Sequence, residues 1–163
     1  MSADLERRVR QIEDRQAISD TVVRYAVAID RGDWELFAGC LTEVVHIDFS
    51  DAGMPAADLP REAFVAFARE ALSGFTARQH LSPNHLVTFD PEDADRAVCE
   101  SYMYAQHHLA GAEGGDFFLM RGSYTNHLVR TAGGWRIERL VQHVSWPEGN
   151  LDLPNMARAR VAS

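Results

Sequence analysis

Several features that would define a class of protein are missing from this sequence. Its 163 residues include only two cysteines, Cys40 and Cys99, both inside apolar stretches and with no secretory leader before them. We therefore expect two buried, reduced thiols in a cytoplasmic protein. No apolar run approaches the ~20 residues that span a bilayer, so no membrane association is expected. The net charge of −8, from 16 basic and 24 acidic side chains, disfavours nucleic acid as a partner.

Motifs for metal, phosphate or dinucleotide chemistry are also missing. None of the seven histidines belongs to a His-x-His or His-Glu-x-x-His spacing, and there is no Cys-x-x-Cys. The glycine cluster at 111–115 lies in a predicted turn between strands, whereas a phosphate cradle lies between a strand and a helix. We expect neither a metal nor a cofactor. The chemistry that remains is proton transfer by a histidine paired with a carboxylate.

The first half of the chain has helical periodicity within a composition typical of one globular domain, with 46% hydrophobic and 25% charged residues. Residues 3–30 contain no glycine or proline and predict a long helix. A short strand at 44–49 and a loop at 50–59 separate the later helices. The predicted second and third helices cover 34–41 and the segment from Pro60 to Gly74.

The second half predicts an antiparallel meander, and its strands cover 81–90, 97–109, 117–130 and 135–146. Helices followed by strands favour an α+β domain with the helices on one face of the sheet. Because sheets twist and coil, we expect a cone-shaped α+β barrel whose curved mixed or antiparallel sheet encloses a pocket. We expect residues 1–150 to form this domain. The tail at 151–163 has no strong period, and two roles stay open for it: a lid over the pocket or a contact with a neighbouring subunit.

Alternation along 97–109 separates two faces of the strand. One face is small and mostly apolar, which leaves room for a ligand or lets a helix approach closely; both interpretations stay open. Its members are Ala97, Cys99, Ser101, Met103, Ala105 and His107. The other face carries Tyr102 and Tyr104, which suit a half-exposed outer face or a subunit interface. Because these side chains would be partly wet in a monomer, we expect self-association.

Asp30 is the carboxylate that ends the predicted first helix. At this end of a helix a negative charge meets the negative pole of the helix dipole, which is unfavourable. The carboxylate is therefore either solvated or held in place by a partner, and the residues alone leave both open.

The order of several motifs resembles that of SnoaL-like proteins of the NTF2-like superfamily over roughly residues 5–150. These motifs are Arg24-Tyr25-Ala26 to Asp30, Gly32-Asp33-Trp34, Gln79-His80, Asn84-His85, Arg121-Gly122-Ser123-Tyr124, Gly133-Gly134-Trp135 and Trp146-Pro147-Glu148. The chain is most similar to the branch with scytalone dehydratase, bile-acid 7α-dehydratase and hexachlorocyclohexane dehydrochlorinase. Those enzymes eliminate water or HCl without a metal or cofactor.

The resemblance implies that Asp30 and His80 are the catalytic pair. His80 would act as the general base, and Asp30 would orient its ring and balance its charge. Tyr25 and His107 are implied as pocket residues that bind or protonate the developing oxyanion or the leaving group.

Phe49, Tyr124 and Met103 complete the expected substrate-binding set. Ile29 and Phe49 stand where scytalone dehydratase has the two tyrosines that hold a water against its substrate, so that particular reaction is not implied. Tyr124 projects from a neighbouring strand, where it either supplies a hydroxyl or only packs.

The resulting hypothesis is a cofactor-independent lyase (dehydratase-like) or isomerase acting on a small hydrophobic, oxygenated molecule. The resemblance further implies a homodimer or homotrimer. Two alternatives remain open: a non-catalytic binding or association module, and a cyclase or cofactor-free oxygenase.

Overall fold

The computed structural model of the protein describes residues 2–161, which form four α-helices and a seven-stranded sheet. The elements in chain order are α1 (Ala3–Arg31), α2 (Trp34–Gly39), β1 (Leu41–Phe49), β2 (Met54–Pro60), α3 (Arg61–Leu72), β3 (Ala77–Leu81), β4 (Leu86–Phe89), β5 (Arg96–His108), β6 (Phe117–Thr131), β7 (Gly134–Gly149) and α4 (Leu153–Val161). Within this part of the chain, no helix is both long and apolar enough to cross a membrane.

The strand order is β2-β1-β7-β6-β5-β3, and β4 also pairs with β5. β1 runs parallel to β7, while the other strand pairs are antiparallel. The helices pack on this mixed, curved sheet, which does not close on itself. The predicted α+β cone is therefore confirmed.

The ends of α1 and α2 follow from local capping. Ser2 accepts a hydrogen bond from the Leu5 N–H at the start of α1, and Gly32 ends this helix with φ at 67°, a conformation that favours glycine. Asp33 then accepts the Leu36 N–H and starts α2. These caps fix where α1 stops, and therefore where Asp30 lies.

Two predictions about the elements were wrong. The predicted loop at 50–59 contains strand β2, which gave no alternation because it is an edge strand with most of its residues exposed. The predicted single strand at 81–90 is two strands, β3 and β4, that both pair with β5 and are separated by a segment in which Asn84 has φ at 64°. The tail, for which no element was predicted, contains helix α4, and its last two residues, 162–163, lie outside the described residues.

The core lies between the helices and the concave face of the sheet. All six members of the small-residue face of β5 are buried, whereas Tyr102 on the opposite face is 61% exposed, so the predicted division of this strand is confirmed. Cys40 and Cys99 are buried and free, also as predicted. Burial raises the pKa of both thiols to about 11.

Candidate active site

Asp30 and His80 meet where the end of α1 crosses β3. The His80 Nδ1 lies 2.7 Å from the Asp30 Oδ1, and the His80 backbone N–H donates to Oδ2 of the same carboxylate at 2.9 Å. The His80 side chain is 9% exposed and that of Asp30 is 25% exposed. Attachment through both backbone and ring leaves His80 little freedom to turn relative to the carboxylate.

The contact with Asp30 assigns the tautomer of His80. Because a carboxylate accepts hydrogen bonds, the proton of the neutral ring belongs on Nδ1. The nitrogen that Asp30 does not engage is Nε2, which then has a free lone pair. A neutral imidazole held in this way can accept a proton, since the carboxylate stabilises the imidazolium that forms.

Arg78 reinforces the end of α1 behind the pair. Its guanidinium donates to the carbonyl of Leu72 in the last turn of α3 and, at 3.5 Å, to the carbonyl of Asp30. Burial lowers the pKa of Arg78, and the nearby Asp30 charge opposes that shift. The Arg78 cation therefore joins the C-termini of α1 and α3, where positive charge is favourable. It also offsets the unfavourable interaction of the Asp30 carboxylate with the negative end of the α1 dipole. The sequence reasoning missed this residue, although it shares a strand face with His80.

A cavity of about 500 Å³ opens beside His80. It is bounded by α1, α3, α4, residues 52–55 and the concave face of the sheet, and its walls are mainly aromatic and aliphatic. Its polar lining consists of Tyr25, His80, His107, Tyr124, Gln142 and Arg158. A separate depression of about 380 Å³, beside α2, contains none of the predicted site residues.

His107 is the second imidazole on the cavity wall. It is 3% exposed, and its ring centroid lies 5.2 Å from that of His80 at an interplanar angle of 83°. Phe75 and Phe118 pack against it, and its Nδ1 has no hydrogen-bond partner among the described residues. Burial, aided by the neighbouring His80, lowers the pKa of His107 to about 3. His107 is therefore a neutral polar group at physiological pH.

Two phenols complete the polar lining. Burial raises the pKa of Tyr124 to about 12 and that of Tyr25 well above its usual range. Both hydroxyls therefore stay protonated and can donate a hydrogen bond to a ligand. The Gln142 Nε2 lies 3.4 Å from the Tyr124 hydroxyl and 3.3 Å from the Met103 sulfur.

The structure brings most of the predicted site residues to one cavity. Five of them line it: Tyr25, Phe49, His80, His107 and Tyr124. Asp30 lies behind His80, and Met103 contacts Gln142 without lining the cavity. The sequence reasoning missed Gln142 and Arg158. Gln142 could have been found, because it is a polar residue on the buried face of β7, in phase with Leu140.

The described residues contain no group of three or more His, Cys, Asp or Glu side chains arranged to hold a metal ion. The polar groups around the cavity are instead one imidazole held by a carboxylate, one buried neutral imidazole, two phenols, an amide and a guanidinium. Such a set can accept and donate protons at an otherwise apolar ligand.

Helices packed on a curved sheet around a cavity of this kind define the NTF2-like class of protein. The chain belongs to the SnoaL-like domain family, whose family model matches residues 10–141. The resemblance seen in the sequence motifs is thereby confirmed.

Three similar proteins illustrate the range of relatives. The terrestric acid biosynthesis cluster protein E of Penicillium crustosum is 28% identical over 145 residues, which cover 85% of this chain and 88% of that protein. The Kfla4162 protein of Kribbella flavida is 31% identical, with a TM-score of 0.81 over 91% of this chain and 99% of that one. The hexachlorocyclohexane dehydrochlorinase LinA-type3 of Novosphingobium barchaimii, at 17% identity, shares the fold with a TM-score of 0.74 over 91% of this chain and 95% of its own.

Proposed function

We propose that this protein is a cofactor-independent lyase or isomerase that acts on a small hydrophobic, oxygenated molecule. The observation that carries the proposal is the position of His80 on the wall of an apolar cavity, with its Nδ1 held at 2.7 Å by Asp30. A histidine that only filled the core would not need a carboxylate partner and an adjoining cavity of about 500 Å³.

In the proposed reaction the His80 Nε2 removes a proton from a carbon next to a carbonyl. The electron pair of that C–H bond forms a new double bond as the leaving group departs from the neighbouring carbon, either as chloride or, from a hydroxyl group, as water that takes the proton back from the His80 imidazolium. In an isomerisation the same pair passes into an enolate and the proton returns elsewhere. Asp30 stabilises the imidazolium, and general acid–base help of this kind is worth about 10²–10⁴-fold in rate.

Tyr25, Tyr124 and His107 supply the complementary polar contacts in this proposal. Because all three are uncharged at neutral pH, they can hydrogen-bond a carbonyl oxygen without first losing a partner ion. In a cavity shielded from water, donors aimed at a developing oxyanion give a large share of the stabilisation.

The relatives support this class of chemistry. One structural neighbour is named as a dehydrochlorinase, and dehydrochlorination is an elimination that removes a proton from one carbon and chloride from the next. The fungal relative is named for a biosynthesis cluster. We propose that the present chain handles a comparably small organic substrate.

The test is to assay bicyclic β-hydroxy ketones with the wild type, His80→Ala, Asp30→Asn and His143→Gln. Enone absorbance reports elimination, and NMR in D₂O reports exchange of the α-proton. We expect His80→Ala to lose about 10²-fold or more of the activity, and Asp30→Asn to lose less, because the amide can still hold the ring but does not balance its charge. His143 is exposed, so His143→Gln serves as the matched control.

Retained turnover in a folded His80→Ala protein would rule out this base assignment. Binding of the ketones without turnover or proton exchange in the wild type would favour the non-catalytic binding module instead.

A further inference from the structure

Helix α4 forms part of the cavity wall. Leu153 and Ala157 are fully buried and belong to an apolar cluster with Phe75 and Phe118. Pro154 directly follows the buried Leu153, and Arg158 directly follows the buried Ala157. Both Pro154 and Arg158 line the cavity. Residues four apart lie on the same side of a helix, so the buried anchors fix the direction in which this side projects.

A close backbone contact holds α4 against the end of α3. A Cβ atom placed on Gly74 would overlap the carbonyl of Ala157, so the two segments approach as closely as only glycine permits. The Arg158 side chain is consequently carried by an anchored helix. Arg158 is both exposed to solvent and part of the cavity lining, which places it at the cavity mouth.

The charge on Arg158 has no carboxylate partner among residues 2–161. Its guanidinium donates to the neutral Oδ1 of Asn155 at 2.9 Å. By contrast, Arg121 pairs with Glu148 at 2.6 Å, and Arg130 pairs with two carboxylates. The described cavity lining contains no Asp or Glu, and Asp30 is engaged behind His80. A cation next to an apolar cavity, in a protein of net charge −8, is therefore left for a ligand.

We propose that Arg158 binds an anionic group of the substrate, so that the substrate is a hydrophobic acid whose carboxylate stays at the cavity mouth. The planar guanidinium fork matches the two oxygens of a carboxylate. The apolar body of the acid then lies against Phe64, Phe67 and Phe118, and the reacting carbon lies deeper, beside His80. The assignment of the reacting end rests on the proposed function, whereas the preference for an acid does not.

The experiment compares the binding of naphthoate and naphthamide, which have the same shape and differ in charge. Isothermal titration calorimetry is carried out with the wild type, Arg158→Gln, Arg160→Gln and His80→Ala. Arg160 lies on the same helix, does not line the cavity and bonds the Ala110 carbonyl, so its variant is the matched control. We expect the wild type to prefer the acid about fivefold, as a partly exposed ion pair allows, and added salt to reduce this preference.

The proposal requires that Arg158→Gln removes the preference for naphthoate while naphthamide binds as before, and that Arg160→Gln keeps the preference. Equal affinity of the wild type for the two compounds, no binding of naphthoate, or a loss shared equally by both compounds in Arg158→Gln would overturn it. His80→Ala should keep the preference. The proposed function fails separately, if that variant still catalyses proton removal.

Discussion

His107 lies on the cavity wall with almost no access to water, and this burial makes the stability of the protein depend on pH. In the folded chain burial lowers its pKa from 6.5 to about 3. As the pH falls below about 6.5, His107 therefore becomes protonated in the unfolded chain but stays neutral in the folded chain. Stability is full above about pH 6.5 and falls as the pH drops towards 3, by about 2 kcal/mol from this group at about pH 5.

This dependence can be isolated with His107→Phe, which keeps an aromatic ring against Phe75 and Phe118 and removes the titration. Urea unfolding at about pH 7 and about pH 5 should show a smaller loss of unfolding free energy in the variant than in the wild type. His143→Gln changes an exposed histidine on β7 that pairs with no carboxylate among the described residues, so it is the control and should behave as the wild type does. Equal losses in His107→Phe and wild type would show that His107 titrates normally.

At the residue scale, the sequence was informative where side-chain position follows from an element end or from alternation. The resemblance to SnoaL-like proteins implied Asp30 and His80 as a pair and His107 as a pocket residue. The residues alone placed Asp30 at a helix end and His107 on the small-residue face of β5. Arg158 could not be predicted, because its position at the cavity depends on how α4 packs. Arg78 was missed because its partners are main-chain carbonyls of two helices, which no residue pattern records.

At the scale of elements, the packing of α4 against the end of α3 depends on the absence of a side chain at position 74. In Gly74→Ala the new methyl group would overlap the Ala157 carbonyl, so α4 must move outward and Leu153 must leave its buried site. We expect a loss of about 1–3 kcal/mol in the free energy of unfolding, measured in urea. Trypsin should also cleave sooner after Arg158, since the helix is loosened.

Gly39→Ala provides the control for this prediction, because a Cβ at Gly39 meets nothing within 4 Å. Its effect should stay within about 0.5 kcal/mol. A Gly74→Ala protein as stable and as resistant to trypsin as Gly39→Ala would show that α4 is not held by this contact.

The elements that the sequence predicted well are those with one solvent-exposed face and one buried face. β5 has such a division along its length, and α1 has it from Asp14 to Ile29. Residues 3–13 of α1 are exposed and were predicted as helix from the absence of glycine and proline. The bounds of both elements came within one or two residues. β2 is exposed on both sides and therefore carries no periodic signal. The break between β3 and β4 does carry a turn signal, Ser82-Pro83-Asn84-His85, which the prediction of one continuous strand overlooked. Both strands pair antiparallel with β5, and the pairing register shifts by one residue across the break.

At the scale of the whole molecule, the convex side of the sheet carries an apolar patch. Leu81, Leu86 and Tyr102 are 48%, 62% and 61% exposed, and their pairing with β5 places all three on one face. Exposed apolar side chains clustered in this way favour contact with another protein surface. We predict that the chain forms a dimer or trimer through this face.

Sedimentation velocity should therefore give a mass above that of the 18.2 kDa chain. Tyr102→Lys should shift the distribution towards the monomer, because a charge buried at the interface is costly. Val44→Lys replaces an exposed apolar residue on β1 and should leave the distribution unchanged. A monomeric wild type would contradict the predicted assembly.

The parallel pairing of β1 with β7 has a consequence for how the chain is made. β1 cannot complete its hydrogen bonds until β7, close to the other end of the sequence, is available beside it. A nascent chain on the ribosome must therefore hold β1 unpaired on one side until β7 has also been synthesised. Contacts between such distant positions slow folding, so the cavity beside His80 can form only after β7 has left the ribosome.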